Sequence, residues 1–213
     1  MGRLFPMILA FGLCACSEFA EGVPKAQLGP LVRTGTVALE PLPQTLPGLR
    51  PIALGPEALS IQFEAAKLTG RHQGSFKRMS GRLDWSPDEP ERSRLFIDVE
   101  TDSVETDAPK LTKHLKSPDF FGVETYPKAR LVLDLLHPEA PGQFEAEGRL
   151  QLHGIERSIR IPVQIQAESG RLRGTSSFVL DRKAFGIVYA GRPDDLIASE
   201  VVLRVELEAR SSP

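Results

Sequence analysis

The sequence predicts an all-β fold: an eight-stranded antiparallel barrel with one short helix that caps a mouth. From residue 57 onward apolar and polar residues alternate with a period of two, as in strands with one buried and one solvated face. The alternating stretches recur at the spacing of successive antiparallel strands, and a single segment has a helical pattern. A sheet closed on itself satisfies this pattern and removes unpaired edges, while a two-sheet sandwich remains the alternative.

Eight stretches supply the predicted strands, and each has an apolar residue at every second position. They cover residues 59–65, 79–85, 95–99, 129–135, 144–152, 159–165, 172–180 and 201–207. Phe76 is one step out of phase with the second stretch, which predicts a bulge near Lys77 and Arg78.

The inward-facing residues decide whether such a barrel is hollow. Eight strands enclose a lumen that side chains just fill, or that holds one ligand if the lining is small. Several inward positions are small, namely Ala65, Gly81, Ala129, Ala146, Gly148, Gly174 and Ser176. They either leave room for a ligand or match large residues in a filled core. On the first interpretation, the lumen is lined by Phe63, Phe76, Ile97, Leu133 and Phe178.

The alternation stops at residue 102, and a short helix is predicted over residues 108–117. Asp107 is the expected N-cap, Pro109 suits the first turn and Pro118 ends the helix. The apolar residues of this region are expected to gate the mouth, namely Leu111, Leu115, Phe120 and Phe121, with His114 as a polar contact. The lysines at 110, 113 and 116 either ring the rim, where they would meet an anionic head group, or form a solvated face.

The N-terminus is predicted to be a targeting segment. Arg3 precedes an apolar run over residues 4–13, which is too short to span a bilayer and is typical of a secretory signal. The sequence around Cys16 resembles the bacterial lipobox, so we expect residues 1–15 to be removed as a signal peptide and Cys16 to be acylated. An ordinary signal peptide is the alternative. The expected location is the periplasmic side of the cell envelope, and Ser17 after the cysteine favours the outer membrane.

Residues 16–55 are rich in proline and have little apolar periodicity, which predicts a tether. A polyproline-like chain of this length would reach roughly 120 Å. The alternative is a segment packed along the surface of the barrel.

Charge and motifs exclude several classes of function. A net charge of −2 gives no basic field for nucleic acid. Because the chain has no local motif for nucleophilic, metal or phosphate chemistry, we predict a protein that is not an enzyme and has no cofactor. A metal site formed by three of the scattered histidines 72, 114, 137 and 153 is the alternative.

Four stretches give a more specific indication. The run LTKHLKSPDFFGVETYPKARL, residues 111–131, resembles the signature of the YceI-like family of polyisoprenoid-binding proteins. Residues 70–85 and 148–163 resemble that family's early and middle hairpins. Residues 178–187 resemble its Arg-x-x-Phe-Gly element, with Arg182 and Phe185 at the matching positions. The resemblance spans about residues 57–210, although the chain has LTKHLKS where relatives often carry an Arg-rich or His-paired helix.

The resemblance implies a lipocalin-like barrel that holds a long-chain amphiphile, such as a polyprenyl or quinone lipid. Arg182 and Phe185 are then expected to contact the ligand. We therefore predict a lipid-binding envelope lipoprotein that is attached to the membrane through Cys16 and has a carrier, storage or protective role. The alternatives are a filled barrel that acts as a structural or protein-binding module and an envelope hydrolase or isomerase; the sequence names no protein partner.

Overall fold

The computed structural model describes residues 18–35 and 39–210 of the chain. Their strands are β1 (Gln27–Thr34), β2 (Arg50–Leu54), β3 (Leu59–Lys67), β4 (Gly70–Phe76), β5 (Met79–Trp85), β6 (Arg94–Glu100), β7 (Val104–Thr106), β8 (Lys128–Ala140), β9 (Gln143–Leu152), β10 (Ile155–Glu168), β11 (Arg171–Asp181), β12 (Gly191–Arg192) and β13 (Asp195–Arg210). The helix is α1 (Pro109–Lys116), and short 3-10 turns cover Glu18–Ala20, Pro90–Arg92, Thr101–Ser103 and Arg182–Phe185.

The strands form one curled antiparallel sheet. Its main path runs β2-β5-β6-β8-β9-β10-β11-β13-β3-β4-β7, and β1 and β12 add to β10 and β13. Side chains of seven of these strands surround a common apolar cavity, which requires the sheet to wrap around it. Within the described ranges no ladder joins β2 to β7, so the predicted barrel is confirmed but is open along one seam.

All eight predicted strands are present, but the strand count is higher. Alternation missed β4, because Arg71, His72 and Gln73 give it a polar sequence in the part that pairs with β3 but not with β7. The prediction of a bulge near Lys77 and Arg78 is wrong. Strand β4 ends at Phe76 and β5 begins at Met79, and the Lys77 amide donates a hydrogen bond to the carbonyl of Ser103.

The predicted helix is confirmed as α1, whereas its predicted cap is not. Ala108 is the N-cap residue and makes no side-chain capping bond. Asp107 instead lies with its carboxylate 3.0 Å from Nδ1 of His72 on β4. The Oγ1 of Thr112 accepts a hydrogen bond from the Thr106 amide at 3.0 Å, which fastens the helix to β7.

The segment predicted to be a tether lies on the barrel, as in the alternative interpretation. Its β1 pairs with residues 155–160 of β10, and its β2 pairs with β5. A register shift between Leu28 and Leu31 accommodates Pro30, which has no amide hydrogen to donate. Phe19 is only 8% exposed. The prediction of an extended tether is therefore wrong for the described part of this segment; Cys16 and residues 1–15 lie outside the described residues.

Strand β1 fills the gap between β10 and β11 in the barrel wall. Strand β11 pairs with residues 164–168 of β10, and β1 occupies the same edge of β10 at residues 155–160. The Ala26 amide donates to the carbonyl of Val179 on β11, so β1 bridges the two diverging strands. Ala26 and Leu28 pack against the apolar core.

Candidate functional site

An apolar cavity of about 170 Å³ lies inside the curled sheet, next to α1. We call it the helix-side chamber. Its walls contain eight of the residues predicted to bind a ligand: Phe63, Phe76, Ile97, Leu115, Phe120, Phe121, Phe178 and Arg182. Most of the rest are inward-facing aliphatic residues of the alternating stretches, among them Ile61, Val99, Leu131, Leu150, Leu180, Val201 and Val205.

Aromatic side chains close the helix side of this chamber. The rings of Phe76 and Phe121 meet edge to face with their centroids 5.5 Å apart. The ring of Phe63 lies 5.9 Å from that of Phe76. Because Phe121 follows α1 while Phe63 and Phe76 lie on β3 and β4, this contact joins the helical segment to the sheet.

Four residues predicted to bind the ligand do not line the helix-side chamber. Leu111 packs against the apolar cluster that includes Leu115 and Phe120. Phe185 is fully buried in the main core. Leu133 lines a different cavity. His114 faces Asp119, with its Nε2 2.9 Å from the carboxylate, and its ring packs against Phe120 and Tyr189.

Arg182 is held by backbone carbonyl groups rather than left free for a head group. Its guanidinium donates to the carbonyl oxygens of Ile187 at 2.6 Å, Tyr189 at 2.7 Å, Ala198 at 3.0 Å and Ile197 at 3.3 Å. The residue is 5% exposed. Burial lowers the pKa of the guanidinium, and the charge of Asp181 offsets part of that shift. Arg182 thus fixes the loop before β13 against the barrel.

That loop supplies the lining residues that the sequence analysis missed. Ile187 belongs to it, Ile197 lies near the start of β13 directly after it, and both face the helix-side chamber. Neither lies in an alternating stretch, so periodicity gave no signal. The Arg-x-x-Phe-Gly element next to Ile187 is the sequence feature that indicates this loop. Its Gly186 has φ 74° and ends the 3-10 turn, after which the chain runs back over the chamber.

A second apolar cavity, of about 70 Å³, lies farther from α1 and is called the distal chamber. Leu133, Trp85 and Gly174 are among its walls. Leu131 and Val205 line both chambers and form the wall between them. The interior is therefore divided in two.

The small inward residues serve two different purposes. A Cβ at Gly148 would overlap the carbonyl oxygen of Val132, and one at Gly81 would lie 2.5 Å from the carbonyl oxygen of Phe96. These glycines let neighbouring strands approach. Gly174 is different, because the nearest atom to its added Cβ is that of Leu207 at 3.8 Å, which is an ordinary contact. Together with Ala65 and Ala129, Gly174 leaves room inside the barrel.

The lysines of α1 are available to solvent. Lys110 and Lys113 are exposed and Lys116 is partly exposed. In the part of the chain that the structure describes, none of them forms an ion pair. They place positive charge on the helix that closes the chamber.

Other features of the described ranges are less suited to an apolar ligand. Two outer depressions of about 470 Å³ each have walls with many polar residues, such as Gln73, Glu105 and Asp107 in one and Arg149 and Glu156 in the other. No group of three His, Cys, Asp or Glu residues among residues 18–35 and 39–210 is placed to hold a metal ion. In the same ranges, no helix has the length and apolar character needed to cross a membrane.

Comparison with known proteins identifies the family. The model of the YceI-like domain matches residues 53–209, which is most of the chain and includes strands β3 to β12 and nearly all of β13. The chain belongs to the YceI-like family. Strand β1, the segment before β2 and the first three residues of β2 lie outside the matched region.

Curated relatives match a shorter part of this YceI-like chain. A UPF0312 protein of Pseudomonas putida is 28% identical over 95 residues, and one of Pseudomonas savastanoi pv. phaseolicola is 30% identical over the same length. Each alignment covers 45% of this chain and 50% of the relative. The chain therefore spans about half the length of the curated relatives it matches.

Solved structures show the same YceI-like fold. BcnA of Burkholderia cenocepacia superposes with a TM-score of 0.65 at 18% identity and covers 71% of this chain and 96% of its own. A polyisoprenoid binding domain from Saccharophagus degradans gives 0.61 at 14% identity, with coverage of 77% and 99%. The YceI protein of Campylobacter jejuni gives 0.56 at 20% identity, with coverage of 66% and 85%.

Proposed function

We propose that this protein binds the hydrocarbon tail of an isoprenoid or similar amphiphilic lipid inside its barrel. The observation that carries the proposal is the helix-side chamber: about 170 Å³ of space whose walls are almost entirely aliphatic and aromatic. An apolar cavity of this kind gains nothing from water and favours hydrocarbon. The Saccharophagus degradans domain, named for polyisoprenoid binding, has the same fold and supports the choice of ligand class.

Tail burial supplies the affinity. Each buried methylene contributes about 0.8 kcal/mol, so ten carbons contribute roughly 8 kcal/mol before the costs of association. The polar groups near the chamber then select the head group rather than provide most of the binding free energy.

An anionic head group suits the charges of α1. Lys110, Lys113 and Lys116 are positive and without ion-pair partners among the described residues. Arg182 contributes its charge from inside the wall, while its guanidinium stays bonded to backbone carbonyls. Solvent screens exposed lysines, so each is expected to add less than about 1 kcal/mol.

We further propose that the protein is an envelope lipoprotein, anchored through acylated Cys16 after removal of residues 1–15. Because Phe19 is buried and β1 begins at Gln27, the anchor would lie close to the barrel rather than roughly 120 Å from it. A barrel near the bilayer can exchange lipid with it, which favours a carrier or storage role on the periplasmic side, with the outer membrane as the favoured site.

Native mass spectrometry of the full chain, before and after denaturing extraction, tests the binding function. We expect a lipid adduct before extraction and renewed uptake of prenyl lipids after refolding. Recovery of the bare polypeptide alone, with no uptake, would contradict the proposal and favour a structural or protein-binding module.

The anchor has its own test. Growth with an alkyne-labelled fatty acid should label the wild-type protein, and Cys16→Ser should abolish the label and release the protein from membranes. Cys14→Ser is the matched control and should change neither. Equal labelling of the Cys16→Ser protein would contradict anchoring at that residue.

A further inference from the structure

The two chambers together have a small volume for a lipid site. The helix-side chamber holds about 170 Å³ and the distal chamber about 70 Å³. Pockets for drug-sized ligands usually enclose about 300 to 1,000 Å³. The space inside this barrel is therefore below that range even when both chambers are filled.

These volumes convert into numbers of carbon atoms. An apolar protein cavity of about 150 Å³ holds one benzene ring, which has six carbons. In proportion, the helix-side chamber holds about seven carbons and the distal chamber about three. The two chambers together take about ten carbons, the size of two isoprene units.

The wall between the chambers divides that capacity. Leu131 on β8 and Val205 on β13 contribute to both linings, so their side chains lie between the two spaces. A tail of one isoprene unit fits within the helix-side chamber. A longer tail reaches the distal chamber only when these side chains move.

We propose that this chain selects its ligand by tail length and encloses only about ten carbons, with the end of the tail in the distal chamber. The inference rests on the proposed lipid-binding function and narrows it. Carbons beyond this limit leave the barrel past Phe121 and add little affinity. Leu131 and Val205 act as the specificity-determining residues, because they set the cost of filling the distal chamber.

The chain contains a reporter for this event. Trp85 is its single tryptophan, is 2% exposed and lines the distal chamber. It does not line the helix-side chamber. The emission of Trp85 therefore distinguishes a tail that has crossed the wall from one that has not.

The test titrates the delipidated full chain with prenol, geraniol, farnesol and geranylgeraniol, which carry one, two, three and four isoprene units on the same head group. Each additional buried methylene raises the affinity about fourfold. We expect a rise of at least a hundredfold from prenol to geraniol and less than threefold from geraniol to geranylgeraniol. Trp85 emission should change with geraniol and not with prenol.

Two variants and a control test whether the end of the tail binds in the distal chamber and whether Leu131 limits its length. Gly174→Val fills the distal chamber, so it should lower geraniol affinity at least tenfold, leave prenol affinity unchanged and abolish the Trp85 response. Gly70→Val places the same side chain at a surface strand position with nothing within 4 Å of the added Cβ, and should behave as the wild type. Leu131→Ala removes part of the wall and should move the affinity plateau to farnesol.

The outcomes separate this inference from the function on which it rests. Affinity that keeps rising through geranylgeraniol in the wild-type protein overturns the length limit and leaves lipid binding intact. An unchanged Trp85 response in a folded Gly174→Val protein overturns the assignment of the distal chamber. Absence of binding to all four alcohols overturns the proposed function itself.

Discussion

The Nη2 atom of Arg182 donates a hydrogen bond to the carbonyl oxygen of Tyr189 at 2.7 Å. This bond joins the end of β11 to the loop that runs over the helix-side chamber. Three further bonds, to Ile187, Ala198 and Ile197, leave little of the guanidinium free. Arg182 is therefore a positioning residue for the chamber wall, whereas the sequence analysis predicted a ligand contact.

Arg182→Gln should destabilise the fold, because it leaves several buried carbonyls without a donor. We expect a loss of about 3 kcal/mol in the free energy of unfolding, measured by urea denaturation. Arg173→Gln is the control, since its side chain is 52% exposed and its ion pairs are long. Unchanged stability together with loss of lipid binding would show instead that Arg182 is a head-group contact.

Gly148→Ala should be far more damaging than Gly174→Ala. The new methyl at position 148 overlaps the Val132 carbonyl on the neighbouring strand, so β8 and β9 must separate; at position 174 it meets only Leu207 at 3.8 Å. We expect a loss of about 3 kcal/mol for the first and less than about 0.5 kcal/mol for the second, measured by thermal and urea unfolding. Equal losses of stability would mean that Gly148 is not needed for the close approach of β8 and β9.

The contrast between these glycines shows where sequence reasoning succeeds. Alternation identified eight strands and most of their inward faces correctly, because a half-buried strand imposes its period directly on the sequence. Leu135 is the exception: a register shift between Leu133 and Leu135 leaves it 52% exposed, and Leu136 packs against the core instead. Alternation could not distinguish Gly148 from Gly174. Both are small and inward-facing, and the distance to the next strand, which depends on the whole sheet, decides whether space remains.

The structure gathers most of the apolar candidates at one cavity and engages the two polar candidates in contacts within the protein. Phe63, Phe76 and Phe178, which are predicted to line the lumen, lie in the wall of the chamber, together with Phe121, which is predicted to gate the mouth. The polar candidates His114 and Arg182 are instead bonded to Asp119 and to backbone carbonyls. Asp119 and the carbonyl of Ile187 are near these side chains in sequence, but the turns of the chain decide whether such contacts form. The pairing of β1 with β10 joins segments distant in sequence, so it leaves no local pattern.

Phe121→Ala should speed release of a bound lipid without unfolding the protein. The substitution removes the edge-to-face contact with Phe76 on the mouth side of the chamber. We expect dissociation of a prenyl alcohol to be about tenfold faster in stopped-flow measurements. Leu135→Ala is the control, because Leu135 is on the same sheet but exposed. The same rate in both variants would place the exit elsewhere.

Arg33→Ala should loosen β1 from the barrel. Arg33 donates two hydrogen bonds to the buried carboxylate of Glu156, at 2.6 and 3.1 Å. Removing it leaves that carboxylate with only a longer contact to Arg149, at 3.8 Å. We expect about 1 to 3 kcal/mol less stability and faster hydrogen exchange of the β1 amides. Arg92→Ala, which removes an exposed ion pair, should change neither. Faster exchange throughout the sheet would mean that β1 does not open separately.

His153 lies in a two-residue turn between β9 and β10 that suits a different side chain. Leu152 pairs with Ile155, and His153 and Gly154 have φ 50° and 72°. Such a turn prefers Asn followed by Gly. The turn between β10 and β11 matches it, with Ser169 at φ 50° and Gly170 at 75°. Asn is therefore expected to stabilise both turns.

His153→Asn should also flatten the decline of stability in acid. Desolvation lowers the pKa of His153 below its ordinary 6.5, although a hydrogen bond with the Phe185 carbonyl opposes the shift. As pH falls below about 6.5, the unfolded chain binds a proton at residue 153 that the folded chain does not yet bind. The free energy of unfolding therefore decreases with falling pH until the pH reaches the pKa of the folded state. Urea unfolding at pH 7.5 and 5.5 should show a smaller loss for His153→Asn than for the wild type. Ser169→Asn should keep the wild-type loss, because it improves a turn without removing a titratable group; an equal change in slope for both variants would assign the effect to turn chemistry.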